Sequence, residues 1–207
     1  MRNAIAALLL ALLPLSALAE NGKACQIGQF TEIRYDVYIF RNGTTVKPLT
    51  GEMLCPKDRI RTGTKGIAQL KFRDGTEITV GHDSEFVIHQ WKQNRVLANK
   101  ASFELVQGAF RALTGAMTQR RHRFEVKTVI ATIGVRGTEF WGGTNISDEA
   151  LDVIVLNGKG VYVENDAGRV VLDQAGAGTT VRAGKAPGAP EAWSPEKVKK
   201  AVATITP

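Results

Sequence analysis

Two cysteines, three histidines and, beyond residue 19, no long apolar run are the chief scarcities of this 207-residue chain. Each one removes a class of function. A bilayer-spanning helix needs about 20 consecutive apolar residues, and no segment after residue 19 supplies them. Cys25 and Cys55 lack the C-x-x-C spacing of zinc ribbons, and His82, His89 and His122 follow no spacing that gathers three or four ligands. No metal and no cofactor is therefore expected. The G-x-S-x-G nucleophile elbow is missing, and Ser84, Ser102 and Ser147 have no motif around them. "GVRGTEFWGGT" and "QAGAGTT" are rich in glycine but lack the lysine and the strand-to-helix setting of a phosphate loop. Facing carboxylates for glycoside hydrolysis could arise only through spatial pairing, with Glu139 near Glu125 or Asp152. The chain reads as non-catalytic, and a carbohydrate-active enzyme is the remote alternative.

The first nineteen residues have a build of their own. Arg2 precedes the apolar run Ala4 to Leu13, Pro14 and Ser16 break it, and Ala17-Leu18-Ala19 follows. This pattern predicts a secretory signal peptide cleaved after Ala19. The remaining chain is expected to be exported and soluble, in the periplasm or, alternatively, outside the cell. An oxidising compartment allows a disulfide between Cys25 and Cys55. The net charge of +7 reads as a solvated basic surface or as a preference for polyanionic partners. For an exported protein these are acidic surface polymers or lipid head groups, and no nucleic acid is expected. The basic cluster "TQRRHRFEVK" holds Arg120, Arg121, Arg123 and Lys127. It reads as a polyanion contact or, more simply, as a solvated loop.

Period-two alternation dominates the rest of the chain. In "GIAQLKFRDGTEITV", Ala68, Leu70 and Phe72 oppose Gln69, Lys71 and Arg73, and Ile78 and Val80 oppose Glu77 and Thr79. Two such runs around Asp74-Gly75 predict a β-hairpin. Further strands are expected at 30–40, 85–91, 101–110, 123–133, 151–158, 160–165 and 169–174. The fold class is all-β: many short antiparallel strands in a sandwich or solenoid-like stack. Ser194 as cap and Pro195 at the first helical position predict a helix over 194–207. Trp193 and the stripe Val198, Ala201, Val202 and Ile205 should dock it on the sheet. The expected layout is signal peptide 1–19, N-terminal strand segment 20–46, β domain 47–184, linker 185–193 and the helix.

"ATIGVRGTEF", residues 131–140, interrupts a strand composition with two glycines and an arginine. Glycine there marks a bulge, a bend or a close backbone approach. With Gly134, Val135, Arg136, Gly137, Thr138, Glu139 and Phe140, this stretch resembles the signature of the FecR domain family. The upstream run is also similar to the family's, through Leu54, Asp58, Ile60, Thr62, Gly63, Ala68, Leu70, Phe72, Asp74, Gly75 and Thr76. Lys57 replaces the usual glycine before Asp58. With the closing strands, the resemblance covers roughly residues 47–184. It implies a β-rich extracytoplasmic domain that senses or binds rather than catalyses. In the transport regulators of the family, that domain senses an outer-membrane receptor and signals through an inner-membrane helix to a sigma factor. This chain departs from that plan in showing no such helix. It is therefore expected to act as an envelope binding module for a protein or acidic polysaccharide. Alternatively, it is a periplasmic sensor component working with a separate membrane protein. The motif residues are expected to be structural, with Arg136 as a hydrogen-bond hub to Glu139 or Asp74.

Overall fold

The computed structural model describes residues 25–92, 100–115, 123–135 and 137–206. The predicted signal peptide, Arg120, Arg121, His122 and Arg136 lie outside these residues. The alternation becomes two sheets whose inward side chains meet in one core, and the chain keeps stepping between them. β1 (Gly28–Arg34) starts the first sheet, β2 (Val37–Arg41) and β3 (Thr44–Val46) start the second, and β4 (Met53–Leu54) returns to the first. β5 (Arg59–Thr62) joins the second, and the hairpin β6 (Ile67–Phe72) and β7 (Glu77–Val80) joins the first. β8 (Glu85–Lys92) and β9 (Lys100–Gln107) extend the second, and β10 (Ala109–Leu113) extends the first. β11 (Arg123–Lys127) and β12 (Thr132–Val135) follow in the second, β13 (Thr138–Gly143) and β14 (Ala150–Gly158) in the first. β15 (Val161–Asn165) and β16 (Gly168–Leu172) end the second sheet. β17 (Ala177–Arg182) and β18 (Glu191–Ala192) end the first, before the helix α1 (Pro195–Ala203).

The strand orders are β4-β1-β6-β7-β10-β13-β14-β17-β18 and β3-β2-β5-β8-β9-β11-β12-β15-β16, so both sheets grow almost in chain order. The result is a sandwich built like a short solenoid, and β1 to β3 belong to the same two sheets as the rest. The β9–β11 pair is parallel. The expected run 30–40 divides at Tyr35, whose φ is +56°, and the expected run 101–110 divides at Gly108, whose φ is +88°. Both divisions carry the chain from one sheet to the other. The run 123–133 is instead a hairpin, closed by Thr128 Oγ1 donating to the Ala131 carbonyl at 3.0 Å. Both halves of each run face the same core, but the inward parity shifts by one: Phe30 gives way to Val37 and Ile39, and Phe103 and Leu105 give way to Phe110 and Ala112. Phe30 in β1 and Val37 and Ile39 in β2 lie in one buried cluster.

That core holds Phe30, Phe72, Phe86, Phe103, Phe110, Phe124 and Phe140 among aliphatic side chains. Outward side chains of the first sheet form a second cluster, in which Ala109, Trp141 and Ile154 meet Trp193, Ala201 and Ile205. This is where α1 docks. Ser194 caps the helix, its hydroxyl accepting from the Lys197 amide at 3.2 Å, with Pro195 beginning it. The segment before it is hydrogen-bonded along β17, the Gly188 amide donating to the Thr180 carbonyl at 3.1 Å. A disulfide joins Cys25 to Cys55 and ties the start of the described chain to the segment after β4.

Candidate interaction surfaces

Asp58, Thr62, Gly63 and Thr138 lie at corners where the chain changes sheet, whereas Asp74 and Gly75 turn the β6–β7 hairpin within the first sheet. Asp58, wholly buried, takes two bonds from Arg41: Nε to Oδ1 at 2.7 Å and Nη2 to Oδ2 at 2.8 Å. Its Oδ2 also accepts from the Cys55 amide at 2.8 Å. Thr62 Oγ1 donates to the Gly81 carbonyl at 2.5 Å and accepts from the Ser84 amide at 2.9 Å. The Gly63 amide bonds the Asp36 carbonyl at 2.8 Å. Asp74 accepts from the Thr76 amide and hydroxyl, both at 2.9 Å, around Gly75, whose φ of +87° suits a residue without a Cβ. The Thr138 hydroxyl donates to the Lys159 carbonyl at 2.5 Å, and its amide donates to the Thr114 hydroxyl oxygen at 2.8 Å. Val135 and Phe140 enter the core.

Gly134 has a different neighbour. A Cβ there would lie 1.8 Å from Cζ of Tyr162, so this glycine is the floor on which the Tyr162 ring rests. Above the ring sits Arg169, its guanidinium carbon 4.1 Å from the centroid. The Tyr162 hydroxyl donates to Glu125 Oε1 at 3.2 Å, and Arg123 pairs with the same oxygen. Burial, reinforced by the Glu125 carboxylate, raises the Tyr162 phenol above its ordinary value. Gly134→Val should therefore push Tyr162 off its seat, at about 1–3 kcal/mol by the usual cost of overpacking. In chemical denaturation, Gly134→Val with Tyr162→Ala should be milder than the sum of the two single changes. Additive losses would show that the ring and the glycine are uncoupled.

The basic cluster reaches the described structure as Arg123 and Lys127. Arg123 is engaged by the buried Glu125, whereas Lys127 is exposed. Elsewhere on the outer face of the second sheet, the buried Glu85 takes Arg61 Nη2 at 2.7 Å and also pairs with Arg59. His89 Nε2 meets Glu104 at 2.6 Å. Burial by itself raises the Glu85 carboxyl, but hydrogen bonds and charge from Arg61 and Arg59 outweigh it and hold the group below the ordinary glutamate value. A lowered folded-state pKa adds stability above the unfolded value, about 4.3 for glutamate, and loses it as pH falls through the folded value. Glu85→Gln should accordingly be less stable than the parent in urea at pH 7. The gap should narrow as pH falls below about 4. A gap that stays constant would remove Glu85 from the acid response.

The carboxylates considered for glycoside hydrolysis are not brought together. Glu139 accepts from Arg111 Nε at 2.7 Å on the first sheet, whereas Glu125 lies on the outer face of the second. Asp152 pairs across from Gly143, four residues from Glu139 along β13, or about 13 Å at the usual rise per residue. Among the described residues, no group of three or more histidines, cysteines or acids could hold a metal. Two shallow cavities accompany these surfaces. One of about 380 Å³ lies between Val129, Ile130, Asn165, Asp166, Ala167 and Gly184. The other, of about 150 Å³, is lined by Leu113, Thr114, Gly137, Thr138, Glu139, Asn157 and Gly158 beside the signature.

Asp152 is the feature that strand periodicity does not single out. Wholly buried on the outer face of the first sheet, it binds Lys197 Nζ at 2.7 Å and accepts from the Thr180 hydroxyl at 2.5 Å. A lone acid inside "ALDVIVLNG" is the signal that could have marked it.

Comparison with known proteins places these corners in a family. Residues 58–159, from the buried Asp58 to just beyond β14, match the FecR protein family model. The chain carries a FecR domain. The FecR match is narrower at both ends than the resemblance read from the sequence. It leaves the disulfide, β1 to β4, β15 to β18 and α1 outside. No curated protein matches the chain significantly. Among solved structures, the fold is similar to two crystal structures, at 1.65 and 2.50 Å, of a protein of Parabacteroides distasonis ATCC 8503. That protein is provisionally named an anti-sigma factor. Both show 19% identity and a TM-score of 0.54, covering 68% of this chain and 62% of theirs. The likeness is thus one of fold, and the chain spans less than two thirds of that relative.

Proposed function

We propose that this FecR-domain protein is a signalling component of the bacterial cell envelope, working in the periplasm with a separate membrane protein. The observation that carries the reading is the FecR match over residues 58–159, in a regulatory family. The shared fold with a protein provisionally named an anti-sigma factor supports it. The disulfide supports an oxidising compartment, in keeping with the signal-peptide pattern. No helix among the described residues is long and apolar enough to cross a membrane, so the proposal assigns the membrane step to a partner. Polysaccharide binding draws less support, because Arg123 of the basic cluster is engaged by Glu125.

The test is a clean deletion followed by transcript profiling under envelope and nutrient challenge. A discrete set of genes should lose its response and regain it when the chain is supplied again. An unchanged profile, together with binding of purified protein to envelope polymer, would replace the signalling reading with a polysaccharide-binding one.

A further inference from the structure

Side-chain polar atoms left without a protein partner are not spread evenly. Among the described residues, four buried atoms lack one: His82 Nδ1, Trp91 Nε1, Asp152 Oδ2 and Trp193 Nε1. Three of them lie where α1 sits. His82 touches the segment after the helix, its Nε2 2.7 Å from the Thr206 carbonyl and its amide donating to the Thr204 carbonyl at 2.9 Å. Asp152 holds Lys197 through one oxygen and leaves the other bare. Docking the helix therefore removes water from polar groups that the interface only half repays. A nine-residue helix cannot hold its own shape in water. The segment leading to it carries Gly184, Pro187, Gly188 and Pro190.

The seat itself is specific. Lys197 and Ala201, four residues apart, share one face of α1, and Trp193 and Ile205, just outside its two ends, pack with Ala201 in the same cluster. Gly178 leaves room for the aromatic, since a Cβ there would lie 2.2 Å from Trp193 Nε1. Trp141 meets the same ring edge-on at 6.1 Å. Asp152 and Thr180 receive the lysine, whose Nζ lies 2.9 Å from Thr180 Oγ1 and 4.2 Å from the Trp193 ring centre. The face thus selects an aromatic, a cation four residues on and a small residue four beyond that.

We propose that this outer face of the first sheet is a helix-binding groove in which α1 is an exchangeable plug. Its working occupant is an amphipathic helix of the partner, presenting an aromatic residue and a lysine one turn later to Gly178 and Asp152. The identity of that partner rests on the signalling reading; the groove does not.

The probe is a fluorescent peptide of residues 191–206, titrated against the full-length chain. Ala201→Glu, which places a carboxylate at a buried position, should expel α1. That variant should bind the peptide at least tenfold more tightly than the parent. Adding Gly178→Val should fill the groove and abolish the gain. An Ala201→Glu protein that still melts cooperatively but binds no better than the parent would overturn the groove. Hydrogen exchange on the unaltered chain decides independently of any variant. The α1 amides should exchange at least a hundredfold faster than those of β13 and β14, and equal protection would refute an exchangeable plug. In cells, Gly178→Val at normal abundance should abolish the transcriptional response, and a retained response would refute the partner's helix as occupant. If deletion leaves all responses unchanged, the signalling reading and the named occupant fall, while the peptide measurement still decides the groove.

Discussion

Replacing Arg41 with methionine should lower the unfolding free energy by about 3–5 kcal/mol, the usual cost of leaving a buried charge without its partner. The carboxylate of Asp58 has no access to solvent, and Arg41 supplies two of its bonds, with the Cys55 amide supplying another. Arg41 also bonds the Met53 carbonyl at 2.8 Å and Glu52 at 3.3 Å, so it joins β2 to β4 across the two sheets. For a domain of this size, about 2–4 °C of melting temperature accompanies each kcal/mol, which predicts a drop of roughly 6–20 °C. Arg41→Met combined with Asp58→Leu should recover part of the loss, because no charge is then stranded. It should not recover all of it, since the Cys55 amide would lack its acceptor, a deficit of about 1–3 kcal/mol. An Arg41→Met protein that melts with the parent would show that the Arg41–Asp58 pair does not hold the two sheets together.

The second large effect concerns the tie beside that pair. Cys25 and Cys55 are 30 residues apart, and opening such a loop should cost about 3–4 kcal/mol by the chain-entropy relation. Reduction, or serine at both positions, should lower the denaturant midpoint and, by freeing the loop in the unfolded chain, steepen the slope. Protein isolated without reductant should weigh two hydrogens less than the reduced form, about 2 Da. Because the Cys55 amide bonds Asp58, serine at both cysteines and Arg41→Met should not add. Purely additive losses would mean that the disulfide and the ion pair act on separate parts of the fold.

Much of this architecture can be read from the chain, for reasons that are local. The Asp74-Gly75 hairpin, the Ser194-Pro195 helix start and the docking of Trp193 depend on near neighbours and on one periodicity. The crossovers at Tyr35 and Gly108 do not. Both halves of the run 30–40 send apolar side chains into one core, so it reads as one strand, although its inward parity shifts between Phe30 and Val37 and its halves belong to different sheets. At Gly108, space as well as torsion requires glycine, since a Cβ would lie 2.1 Å from Ser84 Oγ. No neighbour in sequence announces that contact. Gly134 is legible as a place of close approach, but the object approaching it, Tyr162, comes from a strand 28 residues later and only pairing reveals it. Ion pairs are hidden in the same way. Sequence alone allows Glu139 beside Glu125 or Asp152, yet its described partner, Arg111, stands on the neighbouring β10. Asp152 meets Lys197 only because α1 folds back over the sheet.

The proposed role of this FecR-domain protein is envelope signalling together with a separate membrane protein. Transcript profiling of the deletion strain is the most direct test of that role. One coherent gene set should lose its response and regain it when the chain is restored. An unchanged transcriptome, with the complemented and deleted strains indistinguishable under every challenge, would contradict it.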